Sequence, residues 1–288
     1  MNTGFQLDPI LQTLLIKANI IMFSSPSNPQ RYRVGLLVPS SNITLETELP
    51  ALLRRQEIRT HHRFTLHSQR LGLTKVDHSG LLEMNRQALP AGRLLAHADI
   101  HALIYGCLIA AIAEGPGSHR RIEAALSSSL EAHGCRAPVL SSAGALIESL
   151  HAQRARKIAI IAPYHPSLTQ KLEEYFSFEG IEVRASRSLN ITDNLRVGLR
   201  DPSLLLDELR TLPSSIDALV ISACVQMPSL EAISSAEATL GIPVLSALTA
   251  TTHGLLNALG QSPHIEGAGS LLQKKNGYDQ RSYVARAS

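Results

Sequence analysis

The chain has 288 residues, of which 44% are hydrophobic and 18% charged, an ordinary composition for one large or two modest globular domains. Its formal net charge is only +3, and its Lys and Arg are scattered without a basic run interleaved with aromatics, so a nucleic-acid partner is excluded. No stretch reaches the roughly 18 apolar residues that span a bilayer. Three cysteines without a CxxC pair make no disulfide framework, so a reducing, cytoplasmic setting is expected.

Residues 1–30 read as an N-terminal extension and linker. Residues 9–23 are apolar enough for one amphipathic helix, interrupted by Lys17. They lack the basic n-region and small-residue cleavage site of a signal peptide. Residues 24–30, SSPSNPQ, have linker composition, and Met22 offers an alternative start just before them.

A first α/β unit is predicted over 31–143. Val34 to Pro39 is a buried strand stopped by proline, and residues 44–55 have helical spacing behind Ser41 and Asn42. Asn42 has two readings: an N-cap, or an amide directed into the cleft at the strand end. Residues 61–67, HHRFTLH, read as an edge strand whose histidines lack any metal-binding spacing. A helix over 79–97 leads to the apolar strand Ala102-Leu103-Ile104-Tyr105, followed by Gly106 and Cys107. Gly115-Pro116-Gly117 breaks the chain but is no phosphate loop: it does not directly follow a strand, and neither GxGxxG nor GxxxxGK occurs. Ser118 is read as the cap of a helix running to His133 and closed by Gly134. Cys135 beyond it reads as structural filler. Ser141 and Ser142 end a fourth strand, at the rim of the cleft.

The second unit, over 144–246, repeats this order. Ile158 to Pro163 matches the first strand, which places Tyr164 where Asn42 stands in the first unit. After a helix over 167–179 and a strand over 181–185, residues 193–198 (DNLRVG) form a polar loop suited either to ligand binding or to capping a helix. Ala218 to Ile221, a short β-branched run, precedes Ser222, Ala223 and Cys224, and Pro228-Ser229 then opens a helix. Pro138-Val139-Leu140-Ser141 returns as Pro243-Val244-Leu245-Ser246. The chain is therefore an internal duplication of one α/β unit with a parallel sheet. A closing helix over 247–260 follows, and 261–288 reads as a loose tail.

Such a duplication brings Cys107 and Cys224 to one cleft, at the strand ends where open α/β sheets place their ligand chemistry. A thiolate is a strong nucleophile and base, and a thiol is a usable acid near neutral pH. Such a pair can add a proton and a nucleophile across a bond, or move a proton between faces of a carbon. Neither task needs a metal, flavin or nicotinamide, and the sequence carries none of their motifs.

These blocks also carry a family resemblance over about residues 31–260. They are Val38-Pro39-Ser40-Ser41-Asn42 with Glu46-Thr47-Glu48, Tyr105-Gly106-Cys107-Leu108, residues 141–146 (SSAGAL), Pro163-Tyr164, Asp193-Asn194-Leu195 and residues 222–230 (SACVQMPSL). The chain resembles the aspartate/glutamate/hydantoin racemase superfamily and, within it, the maleate cis–trans isomerases. The resemblance implies two pseudo-symmetric units, the first closed by the helix over 247–260, with the site between them. It implies cofactor-independent isomerisation of maleate, or a substituted maleate, through a succinyl-cysteine, with Cys107 as nucleophile and Cys224 as proton donor. Asn42, Tyr164 and Asn194 would bind the substrate carboxylates, helped by backbone amides at Leu108, Ile109, Val225 and Gln226. A homodimer is a further implication. Related arylmalonate decarboxylases keep only the second cysteine, so Cys107 argues against that activity. Tyr105-Gly106 departs slightly from the Tyr-Ala that the resemblance implies there. The alternatives are an amino-acid or hydantoin racemase using the same cysteines as two bases, and a small-ligand binding module with incidental thiols.

Overall fold

The computed structural model describes residues 29–73 and 76–273, so the helix expected over 9–23 lies outside the described residues. Two four-stranded sheets form, and every strand pair in both is parallel. The first contains β1 (Arg31–Pro39), β2 (Arg63–Leu71), β3 (Ala102–Tyr105) and β4 (Val139–Ser141), in the spatial order β2-β1-β3-β4. The second contains β5 (Lys157–Ala162), β6 (Glu182–Ser188), β7 (Ala218–Ser222) and β8 (Val244–Ser246), in the matching order β6-β5-β7-β8. The central strands are apolar because helices cover both faces of a parallel sheet; every residue of β3 and β7 is buried. The edge strands β2 and β6 keep polar, partly exposed residues instead.

The helices between them are α1 (Leu45–Thr60), α2 (His78–Ala96), α3 (Leu108–Ala111), α4 (Ser118–Glu131) and α5 (Ser142–Ala152) in the first unit. The second carries α6 (Pro166–Phe178), α7 (Asn194–Gly198), α8 (Leu230–Leu240) and α9 (Ala247–Ala258). Helices α5 and α9 are repeat equivalents. Each follows its Val-Leu-Ser strand, and each is N-capped by that strand's last serine: Ser141 accepts from the Gly144 N–H and Ser246 from the Thr249 N–H. They pack against each other, and Gly254 makes the approach close. A Cβ there would sit 3.2 Å from the Ala145 Cβ. Although α9 leaves β8 of the second sheet, it also packs on α1, β3 and β4 of the first.

The tail departs from expectation. Residues 261–273 are held in place: Ile265, Ala268, Leu271 and Leu272 are buried, Gln56 bonds Ser262 and His264, and Glu237 accepts from Ser270. The periodicity of these apolar residues is weak in the sequence because Gly267 and Gly269, both at positive φ, interrupt it. Residues 274–288 lie outside the described residues. At the other cap, Ser118 is the first helical residue rather than the N-cap, and its hydroxyl donates back to the Ala111 carbonyl.

Candidate active site

Strand order explains where the chemistry gathers. In each sheet the chain leaves the first strand toward one edge and returns to the third on its other side, which opens a crevice at the carboxyl ends of those two strands. In the first unit those ends carry Asn42 and Cys107; in the second, Tyr164 and Cys224. The matching backbone bonds confirm the equivalence: Gly106 N–H donates to the Leu37 carbonyl at 2.8 Å and Ala223 N–H to the Ile161 carbonyl at 2.9 Å. All four residues are buried.

Both cysteines are free thiols, 7% and 8% exposed, and close enough that charge on Cys224 opposes charge on Cys107. Burial pushes the Cys107 thiol up to about 12, against the pull of the Ala110 and Ile109 N–H groups, although its side chain makes no capping hydrogen bond to α3. Burial also raises Cys224, while the Tyr164 hydroxyl and the Gln226 and Met227 N–H groups favour its anion. The Gln226 N–H lies 3.4 Å from the Cys224 sulfur. Each sulfur thus rests as a thiol with backbone donors already aimed at it. Cys135, by contrast, is a buried thiol 3.7 Å from the Ile100 carbonyl.

Asn42 meets the capping reading with one end of its amide. Its Oδ1 accepts from the Leu45 N–H at 2.9 Å, fixing the start of α1, while its buried Nδ2 has no partner among the described residues. A buried amide donor without an acceptor costs about 1–3 kcal/mol. Tyr164 donates to the Ala223 carbonyl at 3.2 Å, beside Cys224. Asn194 stands at the start of α7, which Asp193 caps. Its amide donates to the Ser41 hydroxyl, so unlike Asn42 it is already engaged. Leu108, Ile109 and Val225 are buried, and their backbones flank the two sulfurs. Gly106 permits the close approach of α1, since a Cβ there would lie 2.5 Å from the Leu45 Cδ2.

Several side chains build this cleft in ways that their sequence blocks did not reveal. The Gln226 side chain joins the units: Oε1 accepts from the Ile43 N–H, and Nε2 donates to the carbonyls of Ser41 and Asn194. Arg70 braces the same loop through the Ser40 and Asn42 carbonyls and pairs with Glu46. Ser229, expected to open α8, makes no side-chain cap; Glu48 of the first unit caps that helix instead, accepting from the Ser229 and Leu230 N–H groups at 3.0 Å each. Nor do Ser141 and Ser142 serve the cleft rim. Ser141 donates to Glu123, and Ser142 to the Tyr105 carbonyl. Among the described residues, no group of His, Cys, Asp or Glu side chains is arranged to hold a metal ion.

Comparison with known proteins places this architecture. The family model described as arylmalonate decarboxylase matches residues 34–272. The maleate isomerase of Geobacillus stearothermophilus is 45% identical over 249 residues, covering 85% of this chain and 99% of that protein. The chain belongs to the maleate isomerase family. The crystal structure of the maleate isomerase Iso from Pseudomonas putida S16 superposes with a TM-score of 0.83 at 41% identity, covering 85% of this chain and 99% of that one. A Cys-to-Ser mutant of the Nocardia farcinica maleate cis–trans isomerase, solved with a covalently bound succinylcysteine intermediate, gives 0.82 at 41% identity and the same coverage. An arylmalonate decarboxylase mutant matches at 0.73 but only 19% identity, a likeness of fold. Family membership thus agrees with the two-sheet architecture and with the isomerase branch that the sequence blocks implied.

Proposed function

We propose that this chain converts maleate to fumarate by reversible covalent addition. The observation that carries the reading is the pair of buried thiols at equivalent strand ends, each facing backbone donors. Rotation about an intact C=C bond lies beyond the roughly 8–23 kcal/mol that enzymes usually remove from a barrier. Covalent addition avoids it. The Cys107 thiol first gives its proton to solvent; the thiolate forms a C–S bond to one alkene carbon, the π electrons move to the other carbon, and that carbon takes the proton of the Cys224 thiol. The product is a succinyl thioether with a single central bond, which rotates. Cys224 then takes the proton back, the C–S bond breaks, and the trans alkene leaves with both cysteines restored. No co-substrate is consumed.

The unpartnered Nδ2 of Asn42 supports its role as a donor to one carboxylate, with Tyr164, Asn194 and the backbone at 108–109 and 225–226 completing the two anion sites. The working unit spans both halves, 31–143 with 247–260 and 144–246. We read it as a cytoplasmic homodimer, a setting that keeps all three cysteines reduced. Among the described residues, no helix is long and apolar enough to cross a membrane. NMR of maleate mixed with the protein and nothing else should show fumarate appearing. Racemisation of an amino acid or hydantoin with maleate untouched would favour the two-base reading.

A further inference from the structure

Helix α3 has four residues, too few to hold itself together, because a single helical turn fixes more dihedrals than its bonds repay. Cys107 is its N-cap residue and makes no side-chain hydrogen bond to it, so the placement of the 109 and 110 N–H groups, which favour the Cys107 anion, must be set from outside. Two side chains take the carbonyls at its far end. The Asn85 Nδ2 donates to the Ala110 carbonyl at 3.1 Å, and the Ser118 hydroxyl to the Ala111 carbonyl at 2.7 Å.

Asn85 is also locked in orientation. Its Oδ1 accepts from the Tyr105 hydroxyl at 2.5 Å, and its Nδ2 reaches the Glu114 carboxylate at 3.2 Å. One donor on one side and two acceptors on the other admit only this amide flip. Tyr105 is fully buried at the end of β3, two residues before Cys107. The amide therefore ties the strand that delivers the cysteine to the helix that cradles it.

We propose that Asn85 is a positioning residue for Cys107, holding through the Ala110 carbonyl the short helix whose N–H groups stabilise the thiolate. Its amide is taken up by Tyr105, Ala110 and Glu114. The inference rests on the covalent reading above and adds to it a residue of α2 that lies outside the blocks carrying the resemblance. The titratable groups facing Cys107 are Cys224, Tyr164 and Tyr105, with Glu114 behind Tyr105. Cys224 and Tyr164 make no bond to Asn85, whereas Tyr105 and Glu114 bond it directly and lose that partner when it is changed.

The test is the pH profile of iodoacetamide alkylation from pH 6 to 10, resolved by peptide mapping so that Cys224 serves as the internal control. Asn85→Leu keeps the side-chain volume and removes both bonding groups. It should move the Cys107 profile up by about one pH unit, a tenfold loss of thiolate at any given pH. The Cys224 profile should stay in place, and kcat should fall about tenfold with KM little changed. Ser118→Ala, at the second anchor, should shift Cys107 alone in the same direction. It serves if the leucine variant does not fold. An unmoved Cys107 profile, or an equal shift at both cysteines, would overturn the proposal. Alkylation needs no maleate, so a wild-type protein without isomerase activity would defeat the covalent reading and leave this test in force.

Discussion

Replacing Asn42 by aspartate and by alanine separates the two roles assigned to its side chain. Aspartate keeps an oxygen for the Leu45 N–H, now 2.9 Å from Oδ1, but puts a carboxylate oxygen where the unpartnered Nδ2 stands. Alanine removes both. A hydrogen bond to a charged oxygen contributes about 1.5–3 kcal/mol, so alanine should lower kcat/KM by about 10- to 150-fold. In the aspartate variant a like charge about 4 Å from a substrate carboxylate adds roughly 4 kcal/mol of repulsion at an effective dielectric of 20. Its activity should fall about a further thousandfold by that same term. Stability should move differently. Alanine loses a cap contributing about 1 kcal/mol, but it also removes a buried donor costing about 1–3 kcal/mol. Its urea midpoint should therefore stay level or rise slightly while turnover collapses. An aspartate variant with wild-type kcat/KM, beside an alanine variant that is merely less stable, would show Asn42 to be a cap alone.

Two further outcomes follow from buried ionisable groups. Burial pushes Cys107 up to about 12, so addition that begins at its thiolate should speed up about tenfold per pH unit from pH 7 to 9, measured as kcat/KM; a flat profile would refute a thiolate-limited step. Glu123 is raised from 4.5 to about 7 by burial, and His119 is lowered from 6.5 to about 4 by the same cause. The Glu123 contribution is complete below pH 4.5 and is lost as pH rises through 7; the His119 contribution is complete above 6.5 and is lost as pH falls through 4. In the wild type the two slopes oppose each other. Glu123→Gln keeps an acceptor for Ser141 and removes the first slope. Urea unfolding should then show a variant more stable than wild type at pH 8, by up to about 3 kcal/mol. A variant less stable there would contradict the assignment.

The duplicated architecture was legible because it is written locally: an apolar strand, a small residue and a cysteine recur with the same flanks. Asn42 and Tyr164 could be placed by the same repeat logic. What the sequence hid are bonds between segments far apart in the chain. Glu48 caps α8 from the other unit, so the blocks around 46–48 and 222–230 are parts of one joint. Gln226 was expected to contribute its backbone, but its side chain proves to be the clip between units. Asn85 left a fainter trace: a polar residue one turn after the buried Leu81 in α2. The packed tail at 261–273 left only a weak one, since Ile265, Ala268 and Leu272 have helical spacing but stand among Gly267 and Gly269, both at positive φ.

The most direct test of covalent isomerisation is intact-protein mass spectrometry of the Cys224→Ser variant after mixing with maleate, followed by peptide mapping. Serine retains no useful acid but leaves the nucleophile in place. The account predicts an increment of one maleic acid, mapped to Cys107, with Cys135 unmodified and no such increment in Cys107→Ser. The increment on Cys135, or unimpaired turnover in Cys107→Ser, would contradict it.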